Sequence, residues 1–229
     1  MTAPSASQPT QSDHTATPEA RKPRLRGWLH AATFPVVVIT GVLLVATATN
    51  QDGRIASAVF VATAIGLFGT SALFHLGSWT PREHKLLRRL DHSNIYLLIA
   101  GTYTPLAVVG MPDRSGTTLL LIVWTGAVLG LIFRLFWLSA PRWLYTALFI
   151  AIGWIAVFFI PELVEVAGVG PVLLLFVGGI LYTLGAITYA LKKPDPAPEW
   201  FGYHEVFHSL TIAAFTVHFI AVWLVVHIR

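Results

Sequence analysis

From residue 29 onward the chain alternates long apolar runs with short polar intervals. The runs cover roughly 29–48, 55–78, 91–110, 117–138, 143–160, 171–191 and 204–227. Each is about long enough to cross a ~30 Å hydrocarbon core as a helix rising 1.5 Å per residue. They predict an all-α integral membrane bundle of seven helices. The intervals are short, with six residues at 49–54 and about twelve at 79–90 and 192–203, so successive helices should be antiparallel neighbours. No tandem repeat and no second soluble domain interrupts this pattern. Gly126 and Gly130 place a GxxxG pair on the fourth run, a spacing that lets helices approach closely.

The first 28 residues differ. They are rich in Ser, Thr, Pro, Ala and Gln and end in a basic cluster, so they lack the apolar surface needed to order themselves. The expected organisation is a disordered basic tail over 1–28 and a seven-transmembrane domain over 29–229. Small residues at Ala46 and Ala48 imitate a signal-peptide cleavage site, but the long polar lead and the length of the apolar run favour a retained span.

Composition agrees with a membrane protein: 55% of the 229 residues are hydrophobic and 11% are charged. The formal charge of +4 is spread in small clusters between apolar runs rather than along one face, so no nucleic-acid partner is implied. These clusters set topology. With a cytoplasmic N-terminus, the inner segments carry Arg21, Lys22, Arg24, Arg26, Arg82, Lys85, Arg88, Arg89, Arg142, Lys192 and Lys193, and the outer ones only Arg54, Arg114 and Arg229. The positive-inside rule then predicts an extracellular C-terminus. Arg134, near the inner end of the fourth run, is expected to snorkel to the interface. The absence of cysteine excludes disulfides, thiolate nucleophiles and Cys-ligated metals.

Ionisable groups inside apolar spans are expensive and become candidates for chemistry. Ser71 and His75 lie one turn apart at the end of the second run, Asp91 and His92 open the third, and His204 and His208 open the seventh. The predicted topology brings all of them to one side of the membrane. Two imidazoles at i and i+4 with a third from another helix suit a zinc ion at ~2.0–2.1 Å and leave a position for water. Asp91 can then serve as ligand, counter-charge or general base, and Ser71 as a hydrogen-bond partner. His218 follows His208 by ten residues, about 15 Å along the helix. It is too deep for the same ion and is expected to point into the bundle, where a hydrogen bond to a Ser or Thr is its simplest use and a proton-relay or substrate-cavity role the alternative. His14, His30, His84 and His227, in the tail, loops or span ends, receive no role.

His204-Glu205-Val206-Phe207-His208 also spells the H-E-x-x-H signature of zinc proteases. In intramembrane proteases of that kind the aspartate ligand follows the motif, whereas Asp91 precedes it. Glu205, about 60° around the helix from His208, stays a candidate second base, but it is expected to face the headgroup region as an interfacial side chain.

The segments SALFH, LDHSNIYLLIAGTYTP, LYTLGAITYALKKP and GYHEVFHSLTIAAFTVHFIAV together resemble the bacterial hemolysin III proteins, which are grouped with the progestin and adiponectin receptors. The resemblance covers all seven spans. It implies a seven-helix bundle with a cytoplasmic N-terminus and zinc near the inner leaflet, held by His75, His204 and His208, with Asp91 and Ser71 engaging the water on the metal. The alkaline ceramidases of the wider superfamily suggest hydrolysis of a lipid amide or ester, so that a membrane lipid would be the substrate. The hemolysin name suggests pore formation instead, and a receptor-like sensor with structural zinc is a third expectation. Isolated Thr residues in the outer halves of the helices do not supply the polar stripe that a pore within one chain needs.

Overall fold

The computed structural model describes residues 23–228; the tail up to residue 22 lies outside them. Among the described residues the regular structure is helical, apart from an isolated antiparallel bridge between Ala197 and Phe201. In order, the helices are α1 (Trp28–Thr47), α2 (Gln51–Leu76), α3 (Pro81–Val109), α4 (Asp113–Phe136), α5 (Arg142–Gly153), α6 (Ile160–Ala167), α7 (Val169–Leu191) and α8 (Tyr203–Val226). A short 3-10 segment, Ile155–Phe159, joins α5 to α6, and the three pieces make one crossing. Seven crossings result, as the hydropathy pattern predicts. Six are long and apolar enough to span a membrane by themselves, and α3 is the seventh.

Helix α3 falls outside that group because its first turns carry Arg82, Glu83, Lys85, Arg88 and Arg89 and its later turns mix His92, Ser93, Asn94, Thr102, Thr104 and Pro105 with the apolar residues. The expected loop at 79–90 is largely helix. Thr80 accepts from the Glu83 N–H at 3.4 Å and Glu83 returns the bond to the Thr80 N–H at 2.9 Å, with Pro81 at the first helical position. This reciprocal cap starts the helix almost three turns before its apolar part.

The fifth crossing also departs from expectation, being broken rather than continuous and reaching Ala167 rather than residue 160. Pro161 lies in the first turn of α6, where its lack of an N–H costs nothing and leaves no bond back to residue 157 to continue the preceding turn. Backbone freed inside an apolar bundle must find new partners. Tyr103 of α3 supplies them: its hydroxyl donates to the Gly153 carbonyl at 2.5 Å and accepts from the Ala156 N–H at 3.1 Å.

The most extensive packing joins sequential neighbours, α1 with α2, α2 with α3, α3 with α4 and α7 with α8. Helix α8 closes the bundle by also touching α1, α2 and α3. The buried stripe of α4 runs Gly116, Leu119, Val123, Ala127, Gly130 and Arg134, at three- and four-residue spacing that keeps one face inward. Gly130 faces the Tyr96 ring, where a Cβ would collide, and Gly126 faces Ile152. The GxxxG pair thus admits α3 on one side and α5 on the other.

Arg134 shares that stripe and does not snorkel. It is 0% exposed, with its guanidinium 4.4 Å from the Tyr145 ring centroid. The inward register of α4 overrides its nearness to the helix end, and the aromatic face provides a cation–π contact in place of water.

Tyr103→Phe is expected to lower stability by about 1–3 kcal/mol, because it strands a carbonyl and an N–H in apolar surroundings. The unfolding midpoint in detergent measures this.

Candidate metal site

Three helix ends meet at the end of the bundle where α1 begins. His75 comes from the last turn of α2, and His204 and His208 from the first two turns of α8. One ring nitrogen from each lies within 4.8 Å of the other two. The Nε2 atoms of His75 and His204 are 3.2 Å apart. Two ligands bound tetrahedrally at ~2.0–2.1 Å would be separated by about 3.3 Å, so the cluster fits an ion of that kind.

Asp91 and Ser71 line the cavity that His204 and His208 enter. The Ser71 side chain is a hydrogen-bond partner of the Asp91 carboxyl. Among the described residues the cluster of converging donor atoms consists of the three imidazoles, and Asp91 stands outside it on the cavity wall. His92 is committed elsewhere: its Nδ1 lies 2.8 Å from the Arg88 carbonyl and its Nε2 3.2 Å from the Tyr189 hydroxyl. His218 does not join the cluster. Its Nε2 lies 3.1 Å from the Leu175 carbonyl of α7, so its partner is backbone rather than the expected Ser or Thr.

His30, given no role from sequence, belongs to this site. It is 2% exposed, and its ring stacks on His208 at 3.8 Å between centroids and 4° between planes. A parallel stack cannot bring its nitrogens to an ion lying in the plane of the His208 ring, so His30 orients a ligand without being one. The signal that could have found it is helical register, since His30, Val37, Gly41 and Leu44 form the buried stripe of α1.

Glu205 overturns the interfacial expectation. It is 1% exposed, accepts from the Gly202 N–H at 2.8 Å to cap its own helix, and pairs with the guanidinium of Arg26. The position three residues into α8 requires this inward direction, because a glutamate there reaches back to the cap. The pair ties residues 24–27 over the site. The Arg24 and Leu25 N–H groups donate to the Glu199 and Trp200 carbonyls at 3.0 and 3.2 Å, and the Arg24 guanidinium lies 4.3 Å from the Trp200 ring centroid. Gly27 follows at φ 88°, with space for its missing Cβ only 2.7 Å from the His75 Cβ. Glycine suits both its left-handed backbone and the close approach to a cluster histidine.

Behind the histidines an apolar cavity of about 160 Å³ runs between α3, α5, α7 and α8. Ile95, Ile99, Phe149 and Val157 line its middle, and Leu163, Val172 and Leu175 its far end. Hence one end carries polar chemistry and the rest suits hydrocarbon.

Fold and site together define a multi-pass membrane protein with a buried three-histidine cluster that can hold a metal ion. The chain belongs to the Haemolysin-III related family, whose profile matches residues 19–219. It is 35% identical to the Hemolysin-3 homolog of Bacillus subtilis, over 72% of this chain and 74% of that protein. It is 38% identical to Hemolysin-3 of Bacillus cereus, over 69% and 74%. A more distant likeness, 26% identity over 72% of this chain and 42% of the relative, connects it to progestin and adipoQ receptor-like protein 1 of Caenorhabditis elegans.

Two outcomes follow from the site's supports. His30→Ala should weaken metal retention about tenfold, as loss of a ligand-orienting neighbour does, while His30→Phe keeps the stack and retains metal; elemental analysis after graded chelator exposure reads both. Glu205→Ala should speed tryptic cleavage after Arg24 and Arg26, since the segment loses its buried ion pair.

Proposed function

We propose that this protein is a zinc-dependent hydrolase of a membrane lipid amide or ester. The observation that carries this reading is the joining of the histidine cluster and the Ser71–Asp91 pair to a closed-in apolar cavity. A substrate with one hydrolysable polar junction and a long hydrocarbon chain matches that division.

His75, His204 and His208 would hold the ion. When bound, zinc supplies a Lewis acid and acidifies water. The Asp91 carboxylate accepts a proton from the attacking water and returns it to the leaving nitrogen or oxygen, so that the products are a carboxylic acid and an amine or alcohol. Ser71 fixes the Asp91 carboxyl for that transfer. The apolar walls position the chain and exclude bulk water from the junction. We place the site at the inner leaflet, with the N-terminus cytoplasmic, because eleven basic residues flank that end and only three the other.

The name of the Bacillus relatives raises a pore as the alternative. The largely apolar lining offers no continuous polar path for ions, which supports the hydrolase.

His208→Ala should lose zinc and lipid turnover together. Asp91→Asn should keep zinc and lose about 100-fold or more in turnover. Elemental analysis paired with lipid mass spectrometry of reconstituted protein measures both. Zinc-loaded wild type that cleaves no amide or ester lipid would sink the reading, and dye release from pure-protein liposomes that persists after chelation would favour the pore.

A further inference from the structure

Most polar side chains along the apolar part of the cavity are already committed. The Thr102, Thr183 and Thr211 hydroxyls donate to the Leu98, Gly179 and Phe207 carbonyls at 2.8, 2.8 and 2.9 Å, and Tyr103 is occupied by the broken crossing. Two neighbours differ. The Tyr182 hydroxyl is buried and has no hydrogen-bond partner among the described residues. His218 lies against it, ring centroids 5.3 Å apart and nearly edge-on, and both side chains line the cavity.

The chemistry of the pair is fixed by its surroundings. A carbonyl only accepts, so the Nε2 of His218 must donate to Leu175, and a neutral imidazole then presents Nδ1 as an acceptor. The Cδ2–Nε2 edge sits in the notch left by Gly178, which turns Nδ1 away from that notch. Tyr182 therefore brings an unpaired hydroxyl, beside an imidazole whose Nδ1 is an acceptor by tautomer. A ligand hydroxyl both donates and accepts, so its chemistry suits either group.

Depth decides where that hydroxyl would be. Tyr182 stands seven residues along α7 from Tyr189, whose ring is 5.8 Å from that of His204; seven residues are about 10 Å of helix. Leu163, Val172 and Phe176 continue the lining with apolar groups. The polar pair thus interrupts the cavity part-way along.

Resting on the lipid-hydrolase reading for the placement of the chain, we propose that Tyr182 and His218 form a hydroxyl-recognition subsite that selects lipids carrying a hydroxyl within the acyl chain. Such a substituent would hydrogen-bond where an unsubstituted chain leaves the Tyr182 hydroxyl unpaired.

The test uses full-length protein in nanodiscs and three probes: an octadecanoyl amide, its mid-chain-hydroxylated counterpart, and one hydroxylated beside the carbonyl. Affinity is read by displacement of a fluorescent acyl amide, and hydrolysis separately by mass spectrometry. Wild type should bind the mid-chain-hydroxylated amide about three- to tenfold more tightly than the unsubstituted one, the worth of a net hydrogen bond. Tyr182→Phe should erase that preference while leaving affinity for the unsubstituted amide and zinc content unchanged. This variant removes an unpaired buried hydroxyl, so it should fold at least as well. Equal binding of the first two probes, an equal gain from the hydroxyl beside the carbonyl, or a preference that survives Tyr182→Phe would overturn the proposal. Preference without hydrolysis would leave the subsite standing and remove the hydrolase; hydrolysis without preference would do the reverse.

Discussion

A polar group carried into an apolar bundle must find its partner inside the bundle. That constraint organises this protein. The broken fifth crossing exists because the Tyr103 hydroxyl takes over both the carbonyl and the N–H that the break releases. Arg134 can lie in the core because Tyr145 turns an aromatic face to it. The histidine cluster can be the same solution on a larger scale: it can hold a metal ion, and imidazoles that share an ion satisfy one another's burial.

Much of this was legible in the sequence because hydropathy and charge are local properties. Counting apolar runs gives seven crossings, and topology alone brings His75, His204 and His208 to one end. What escaped depends on the direction in which a side chain points. The break after Gly153 lies eight residues before Pro161, and its tolerance depends on a tyrosine fifty residues away. Arg134 looks like an interfacial residue by depth and is a core residue by register. His30 sits near the start of a span, where depth suggests an interface, and only the buried stripe of α1 reveals that it meets His208.

Glu205 shows how a motif can mislead about its own letters. Between two cluster histidines, it occupies the place of the general base in a soluble zinc protease. Here its carboxylate closes the first turn of α8 and receives Arg26, so the residue is spent on holding the histidines' helix. Asp91, distant in sequence and paired with Ser71, faces the cavity instead.

The pairing of Arg26 with Glu205 also has a bearing on biogenesis. A ribosome delivers α8 long after the segment around Arg26 and the end of α2 have entered the membrane. Until α8 inserts, Arg26 cannot meet Glu205, and His75 cannot meet the other two histidines. The cluster is therefore completed by one late insertion, and an intermediate lacking α8 would have neither the strap nor the site.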